Sequence, residues 1–201
     1  MEIKIIALIG ADIVGRDIAC LAALAGYRVI LEDVSDDRLG KAADWILEKL
    51  ESCVVYNPVP ARIPRDASET LVLVHTVEDA IRDADLVIET LPDEMEMQIE
   101  IFTILDKFAK PNAIFASTGL LSIAELAEVT FCADRCIGMR FPGSIEEANV
   151  VQLIRSSETS SETIAVCTEV ARRMGREVVV LDDRAANISW ESERKLANAK
   201  D

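Results

Sequence analysis

Histidine is almost absent from this sequence, and several signals of particular functions are missing with it. One histidine occurs among 201 residues, so a metal site built on several imidazole ligands is excluded. Basic residues number 21 against 36 acidic ones, and the formal charge of -15 makes the surface a poor match for the phosphates of nucleic acid or of an anionic bilayer. We therefore expect neither nucleic acid nor a membrane as a partner.

Long apolar runs and a disulfide framework are also lacking. The first apolar run is too short to span a bilayer and carries no basic leader or cleavage-site pattern, so no signal peptide is predicted. The cysteines, at positions 20, 53, 132, 136 and 167, are odd in number and scattered, which is typical of reduced thiols. Cys132 and Cys136 have no second pair of ligands nearby, so we predict no metal site. Because the thiols are expected to be reduced, we expect a cytoplasmic protein.

The chain does have an alternation of two patterns. Half of its residues are hydrophobic, which is enough for one well-buried core. Short β-branched runs alternate with stretches of helical period, which predicts a doubly wound α/β fold of the Rossmann type, with a mostly parallel sheet and helices on both faces. The predicted strands are residues 3–9, 28–31, 71–75, 86–90, 113–117, 136–140 and 178–181. The predicted helices are residues 15–25, 35–51, 77–82, 94–108, 122–130 and 160–174.

These elements predict a single domain over residues 1–183. Within it, residues 54–70 contain Pro58, Pro60 and Pro64 and predict a surface loop or a broken helix. A helical tail is predicted over residues 184–201, and its sizeable apolar residues are Ile188, Trp190 and Leu196. Such a tail could dock on its own domain or on a partner.

Residues 10–15 form the first turn between strand and helix and read GADIVG, an incomplete GxGxxG dinucleotide fingerprint. Gly10 allows the tight exit from the strand, and Gly15 lets the helix pack closely on the sheet. Asp12 replaces the middle glycine, so it brings bulk and negative charge to the place where a pyrophosphate would approach.

Asp33 lies at the end of the second predicted strand, the place from which a carboxylate binds the adenosine ribose. An acid at this position favours NAD over NADP. The alternative is that Gly10 and Gly15 only form a turn and that Asp33 only caps the next helix. Strand, turn, helix and distal acid occur in the right order, which favours a NAD-type architecture.

Two further groups of polar residues have structural explanations. Glu89, Asp93, Glu94 and Glu96 crowd one turn after the fourth predicted strand, and a charged first turn favoured by the helix dipole explains them. The single histidine, His75, ends the third predicted strand, so we expect an exposed structural residue without a catalytic role.

Residues 6–35, IALIGADIVGRDIACLAALAGYRVILEDVS, resemble the opening βαβ unit of the 3-hydroxyacyl-CoA dehydrogenase family. Residues 85–92, 115–123 and 137–141 are similar to the family's fourth-strand motif, its serine-bearing loop and its histidine-bearing strand, so the resemblance covers nearly the whole chain. It implies a NAD site, weakened here by Asp12. The implied cofactor-binding residues are Gly10, Ala11, Asp12, Ile13, Val14, Gly15, Asp33, Thr90, Leu91, Asp93, Gln98 and Ser117.

The same resemblance implies a reaction that this chain is not equipped to perform. The family oxidises a secondary alcohol with NAD while a histidine, polarised by a glutamate, removes the hydroxyl proton. These positions are Arg140 and Gln152 here, and neither side chain can take a proton at physiological pH. The family's substrate-orienting serine falls on Gly119. We therefore assign no catalytic residue and describe these three positions as degenerate.

The resemblance also bears on partners. The family continues beyond the last strand into an all-helical domain that forms the dimer and closes over the acyl-CoA. This chain stops at residue 201, so we expect a face left open by that domain, through which a homodimer could form.

Three hypotheses remain open. The chain is a pseudoenzyme that binds NAD or another nucleotide weakly, or not at all, and acts as a sensor, scaffold or partner-binding module. Alternatively, it is an active NAD-dependent oxidoreductase of a hydroxyacyl-CoA or hydroxy acid, in which Arg140 binds a carboxylate or phosphate of the substrate. A third hypothesis is an acyl-CoA or adenine-nucleotide binding domain that keeps only the adenosine half of the site, around Asp33.

Overall fold

A computed structural model describes residues 1–56, 70–143 and 149–183. The strands of these ranges are β1 (Ile5–Ile9), β2 (Arg28–Glu32), β3 (Leu71–Val74), β4 (Leu86–Glu89), β5 (Ile114–Ser117), β6 (Cys136–Arg140), β7 (Val150–Arg155) and β8 (Glu177–Asp182). The helices are α1 (Ile13–Leu24), α2 (Asp36–Tyr56), α3 (Val77–Ile81), α4 (Met95–Phe108), α5 (Ile123–Ala127) and α6 (Ser161–Arg173), with a 3₁₀ turn at Ala133–Arg135.

The strands form one sheet in the order β3-β2-β1-β4-β5-β6-β7-β8. Every neighbouring pair is parallel except β6 and β7, which are antiparallel. The chain runs outward from β1 to β3 on one side and then restarts at β4 on the other side. A topological switch point therefore lies between β1 and β4, and a crevice opens beyond their carboxyl ends.

Helices cover both faces of the sheet because its central strands alternate between two cores. In β1, Ile6 and Leu8 belong to the core beneath α1, α2 and α6, whereas Ala7 and Ile9 belong to the core beneath α3, α4 and α5. Burial on both faces explains why such strands have continuous apolar runs. The predicted single-domain α/β fold with a mostly parallel sheet is confirmed.

One strand was not predicted, and several helix ends differ. Strand β7 was missed because the prediction relied on helical crossovers between parallel strands, whereas β7 pairs antiparallel with β6. Helix α2 continues to Tyr56, beyond the predicted end at residue 51 and into the predicted loop. The first proline occurs only at position 58, so nothing in residues 52–56 forces the helix to end earlier.

Helices α5 and α6 are capped in different ways. Ser160 caps α6 by accepting from the Thr163 N–H at 3.1 Å. Ser122, at the N-cap position of α5, makes no such bond. Instead Asp183 accepts the backbone N–H groups of Ile123 and Ala124, a contact between residues about 60 positions apart that sequence cannot reveal.

The predicted helical tail, residues 184–201, lies outside the described residues, as does the proline-containing part of the predicted loop, residues 57–69. Among the helices that are described, none has both the length and the apolar character to cross a bilayer.

Candidate cofactor and reaction site

The turn after β1 lies at the switch point and depends on Gly10. Its backbone φ is +104°, which favours glycine, and a Cβ there would lie 2.9 Å from the Thr90 Oγ1. The Thr90 hydroxyl donates to the carbonyls of Ile9 and Gly10 at 3.0 and 3.1 Å, and so joins the turn to the end of β4. The predicted turn residues are thus together with Thr90. Ile13 and Val14 follow as exposed residues of the first turn of α1.

Asp12 is the N-cap of α1. Its Oδ1 accepts the Gly15 N–H at 3.1 Å, and its φ of -73° is one that any residue adopts. The substitution therefore does not strain the backbone. It places a carboxylate on an N–H group at the helix N-terminus, where the phosphates of a nucleotide are otherwise bound.

Asp33 follows β2 and is already engaged within the protein. Its carboxylate accepts the backbone N–H groups of Ala11 (3.1 Å) and Ser35 (2.9 Å), and the Arg38 Nη2 at 2.7 Å. Burial would raise its pKa, but hydrogen bonds from Arg38, Ser35 and Ala11 hold the pKa below its usual value. Asp33 therefore links the turn after β1 to the start of α2 by hydrogen bonds. Its contact with Arg38 was not predicted from the sequence.

Beside it, a first chamber of about 450 Å³ opens on the β2 side of the turn. Glu32 forms part of its wall, is almost fully buried, and has a pKa raised to about 7 by burial and by the neighbouring Asp33 charge. The remaining wall is largely apolar and includes Val77, Met97 and Ile101. A chamber with an apolar wall and Asp33 at its rim suits an adenosine group.

A second chamber of about 440 Å³ opens on the β4–β7 side. It shares Asp12, Thr90, Leu91 and Pro92 with the first chamber, so the two form neighbouring parts of one crevice. Its remaining described lining residues are Val14, Asp93, Thr118, Gly119, Leu120, Arg140, Phe141, Pro142 and Gln152. The three positions described as degenerate from sequence therefore meet around one space.

Arg140 and Gln152 stand directly opposite each other on β6 and β7. Opposed residues of an antiparallel pair project from the same face of the sheet, and both line the second chamber. Arg140 is only 8% exposed, and its Nε donates to the Gly119 carbonyl at 2.8 Å. Burial lowers the pKa of this guanidinium, which the charges of Asp183 and Asp93 oppose, and an arginine remains a cation.

Gly119 lies close to the ends of the Asp93 and Gln98 side chains. A Cβ there would lie 2.6 Å from both the Asp93 Oδ1 and the Gln98 Nε2. The loop is fixed in this position because the Asp93 Oδ1 accepts the Leu120 N–H at 2.7 Å. A serine at this position would fit only if the ends of the Asp93 and Gln98 side chains moved.

Beneath this loop lies Glu89, which belongs to the predicted strand 86–90 but was also interpreted from sequence as part of a charged helical turn. That interpretation was wrong: Glu89 ends β4 and is fully buried. Its carboxylate accepts the Ser117 hydroxyl at 2.7 Å and the Leu91 N–H at 2.5 Å, yet burial outweighs these bonds and raises its pKa to about 7. Gln98 is buried beside it, and its amide makes no hydrogen bond of normal geometry to any described residue.

His75 lies outside both chambers. It is exposed, and its Nε2 is 3.3 Å from the Asp36 Oδ1 at the start of α2. Within residues 1–56, 70–143 and 149–183, no three His, Cys, Asp or Glu side chains are grouped so that they could hold a metal ion.

The two buried glutamates predict that the free energy of unfolding falls as pH rises. A carboxyl whose folded pKa lies above its unfolded value binds its proton more tightly in the folded state, so its stabilisation is complete below about pH 4.5 and is lost as pH rises through about 7. We expect a decrease of about 1–3 kcal/mol between pH 5 and 8, measured by urea denaturation.

Glu89→Gln separates this effect from general charge repulsion. Glutamine resembles the protonated acid, because its oxygen can accept the Leu91 N–H and its amide can donate to the Ser117 hydroxyl. The variant should show a shallower decrease, whereas Glu100→Gln removes one exposed negative charge as the matched control. Parallel pH profiles for wild type and Glu89→Gln would contradict this assignment.

Comparison with known proteins agrees with this geometry. The family model described as the 3-hydroxyacyl-CoA dehydrogenase, NAD binding domain, matches residues 5–184. The chain is 36% identical over 187 residues to a 3-hydroxybutyryl-CoA dehydrogenase of Bradyrhizobium diazoefficiens, a match that covers 92% of this chain and 64% of that protein. It is 31% identical to the mitochondrial hydroxyacyl-coenzyme A dehydrogenase of Sus scrofa, over 90% of this chain and 60% of that protein.

Among solved structures, the (S)-3-hydroxybutyryl-CoA dehydrogenase PaaH1 from Ralstonia eutropha superposes with a TM-score of 0.81 at 26% identity, over 90% of this chain and 64% of that one. The chain thus spans about three fifths of the length of the curated relatives it matches. This chain belongs to the 3-hydroxyacyl-CoA dehydrogenase NAD-binding domain family, as its fold, its fingerprint turn and the match over residues 5–184 show.

Proposed function

We propose that this chain binds NAD but does not oxidise 3-hydroxyacyl thioesters by the proton transfer of its family, and that it acts as a sensor, scaffold or partner-binding module. The observation that carries the proposal is the pairing of Arg140 with Gln152 across β6 and β7, facing the second chamber. A permanently charged guanidinium and an uncharged amide cannot remove a hydroxyl proton.

The residues around the first chamber support NAD as the cofactor. Gly10 allows close approach of the backbone, and the Asp33 Oδ2 accepts only the Ala11 N–H in hydrogen bonds to described residues, so it retains a lone pair for a ribose hydroxyl. When bound, NAD supplies the hydride acceptor of the family reaction. Asp12 opposes binding because its carboxylate already occupies the Gly15 N–H. Weak NAD binding is therefore the expectation.

The loss extends beyond the proton acceptor. Gly119 cannot gain a serine hydroxyl unless Asp93 and Gln98 move, because a Cβ would lie 2.6 Å from each. Restoring the family residue at any one of the three positions would leave the other two changed. This supports an altered role for the second chamber rather than a site impaired at one position.

The test combines a turnover assay with calorimetry. The purified chain is incubated with NAD and 3-hydroxybutyryl-CoA while NADH absorbance is followed, and we expect no turnover above the uncatalysed background. NADH, ADP-ribose and CoA are titrated in parallel, and NADH and ADP-ribose should bind while CoA does not. Thioester oxidation that disappears on Arg140→Ala or Gln152→Ala would contradict the proposal, because it would assign the chemistry to these residues.

An oxidoreductase with different chemistry is the second candidate. It is favoured by the presence of Arg140 in the lining of a chamber of about 440 Å³. A screen of hydroxy acids with NAD distinguishes the two candidates, since reduction of NAD that depends on Arg140 would favour this one.

A further inference from the structure

The Arg140 guanidinium has hydrogen-bonding capacity that the described protein does not use. It is more than nine-tenths buried and lines the second chamber, and its one hydrogen bond to described residues is from Nε to the Gly119 carbonyl. It makes no salt bridge within 4.0 Å to any residue of the described ranges. A guanidinium has five N–H donors, so the two terminal nitrogens remain available for a ligand in the chamber.

The nearby carboxylates do not fill this capacity. Asp12 accepts the Gly15 N–H, and Asp93 accepts the Leu120 N–H at 2.7 Å. Asp183 accepts the two N–H groups at the start of α5. Each of these carboxylates accepts hydrogen bonds from backbone N–H groups. The acids therefore attract the Arg140 charge from a distance and form no hydrogen bond with its terminal N–H groups.

Gln152 adds a second donor at the same place. It stands opposite Arg140 in the antiparallel register and lines the same chamber, so its amide N–H can approach a group that the guanidinium holds. Leu91, Phe141 and Pro142 provide apolar wall nearby. The chamber therefore combines a buried fork of anion donors with space for a short hydrocarbon chain.

We propose that the second chamber binds a small monocarboxylate, whose carboxylate group is held by Arg140 and Gln152. A planar carboxylate matches the guanidinium fork with two parallel hydrogen bonds. A phosphate dianion is disfavoured because Arg140 is the one basic residue among the described lining residues, whereas Asp12 and Asp93 line the same chamber. The inference does not require that NAD is bound.

The test compares an acid with its neutral ester on the wild-type chain without NAD. Calorimetry is carried out with 3-hydroxybutyrate, methyl 3-hydroxybutyrate and inorganic phosphate. We expect the acid to bind, the ester to bind at least about 10-fold more weakly because it has lost its charge, and phosphate to bind more weakly than the acid. Equal affinities of acid and ester, tighter binding of phosphate, or no binding of the acid would each overturn the proposal.

Variants assign the binding to the fork. Arg140→Gln should weaken binding of 3-hydroxybutyrate about 10- to 100-fold, and Arg140→Lys, which keeps the charge but not the fork, should give an intermediate loss. Arg172→Gln, an exposed arginine of α6, is the matched control and should bind like wild type. Unchanged affinity in Arg140→Gln would overturn the assignment. If that variant fails to fold, the comparison of acid and ester still decides the outcome.

Discussion

Replacing Gly15 with alanine is expected to lower the free energy of unfolding by at least about 3 kcal/mol, because the new methyl group has no space. A Cβ at Gly15 would lie 1.9 Å from the Gly10 carbonyl oxygen and 2.8 Å from the Thr90 Oγ1. The first contact is with backbone, so no side-chain rotation relieves it. Either α1 must move away from β1 or the turn must open.

Urea denaturation of wild type, Gly15→Ala and Gly40→Ala measures this effect. Gly40 is the matched control, because it lies in α2 and a Cβ added there would have no neighbouring atom within 4 Å. Alanine there should stabilise the protein by about 0.5–1 kcal/mol through helix propensity. If Gly15→Ala is as stable as wild type, α1 does not pack against the turn in the described way.

Replacing Asp12 with glycine should strengthen NADH binding about 10- to 100-fold, because it removes a like charge and releases the Gly15 N–H for the pyrophosphate. Folding should be little affected, since glycine at an N-cap costs only a few tenths of a kcal/mol relative to aspartate. Fluorescence titration of NADH with each protein gives the dissociation constants.

Asp12→Asn separates the effect of the carboxylate charge from the effect of the hydrogen bond to the Gly15 N–H. Asparagine keeps a side-chain oxygen that can cap Gly15 but carries no charge, so its affinity should lie between those of wild type and Asp12→Gly. Equal and tight binding by all three proteins would show that the carboxylate does not oppose the cofactor. Equal and undetectable binding would place the obstacle outside the fingerprint turn.

The parallel part of the fold could be predicted because its central strands β1, β2, β4 and β5 are mostly buried and because helices alternate with its strands. Strand β7 could not, since it carries Gln152 between apolar residues and pairs antiparallel with β6. The predicted tail over residues 184–201 lies outside the described residues, and self-association of the chain stays a prediction.

The candidate site, like the fold, could be predicted from the sequence only in part. Motif order placed Gly10, Asp33 and Arg140 at one crevice, where the structure has them. The roles of Glu32 and Glu89 could not be predicted, because an acid at the end of a strand can be exposed or buried. Burial of Glu89 depends on Ser117 and Gln98, which other elements bring beside it.

The sequence by itself determined the alternation of strand and helix and the chemical types at the reacting positions. A guanidinium and an amide cannot accept a proton at physiological pH in any conformation. The residue types at positions 140 and 152 therefore predict, without a structure, that Arg140 and Gln152 do not act as a base. Only the tertiary structure decided which charged groups already have partners and which are desolvated. Asp12, Asp33 and Asp93 accept backbone N–H groups, whereas the Arg140 side chain lines the second chamber and makes one hydrogen bond to described residues. These differences depend on distances between residues far apart in the chain, and local sequence patterns do not contain them.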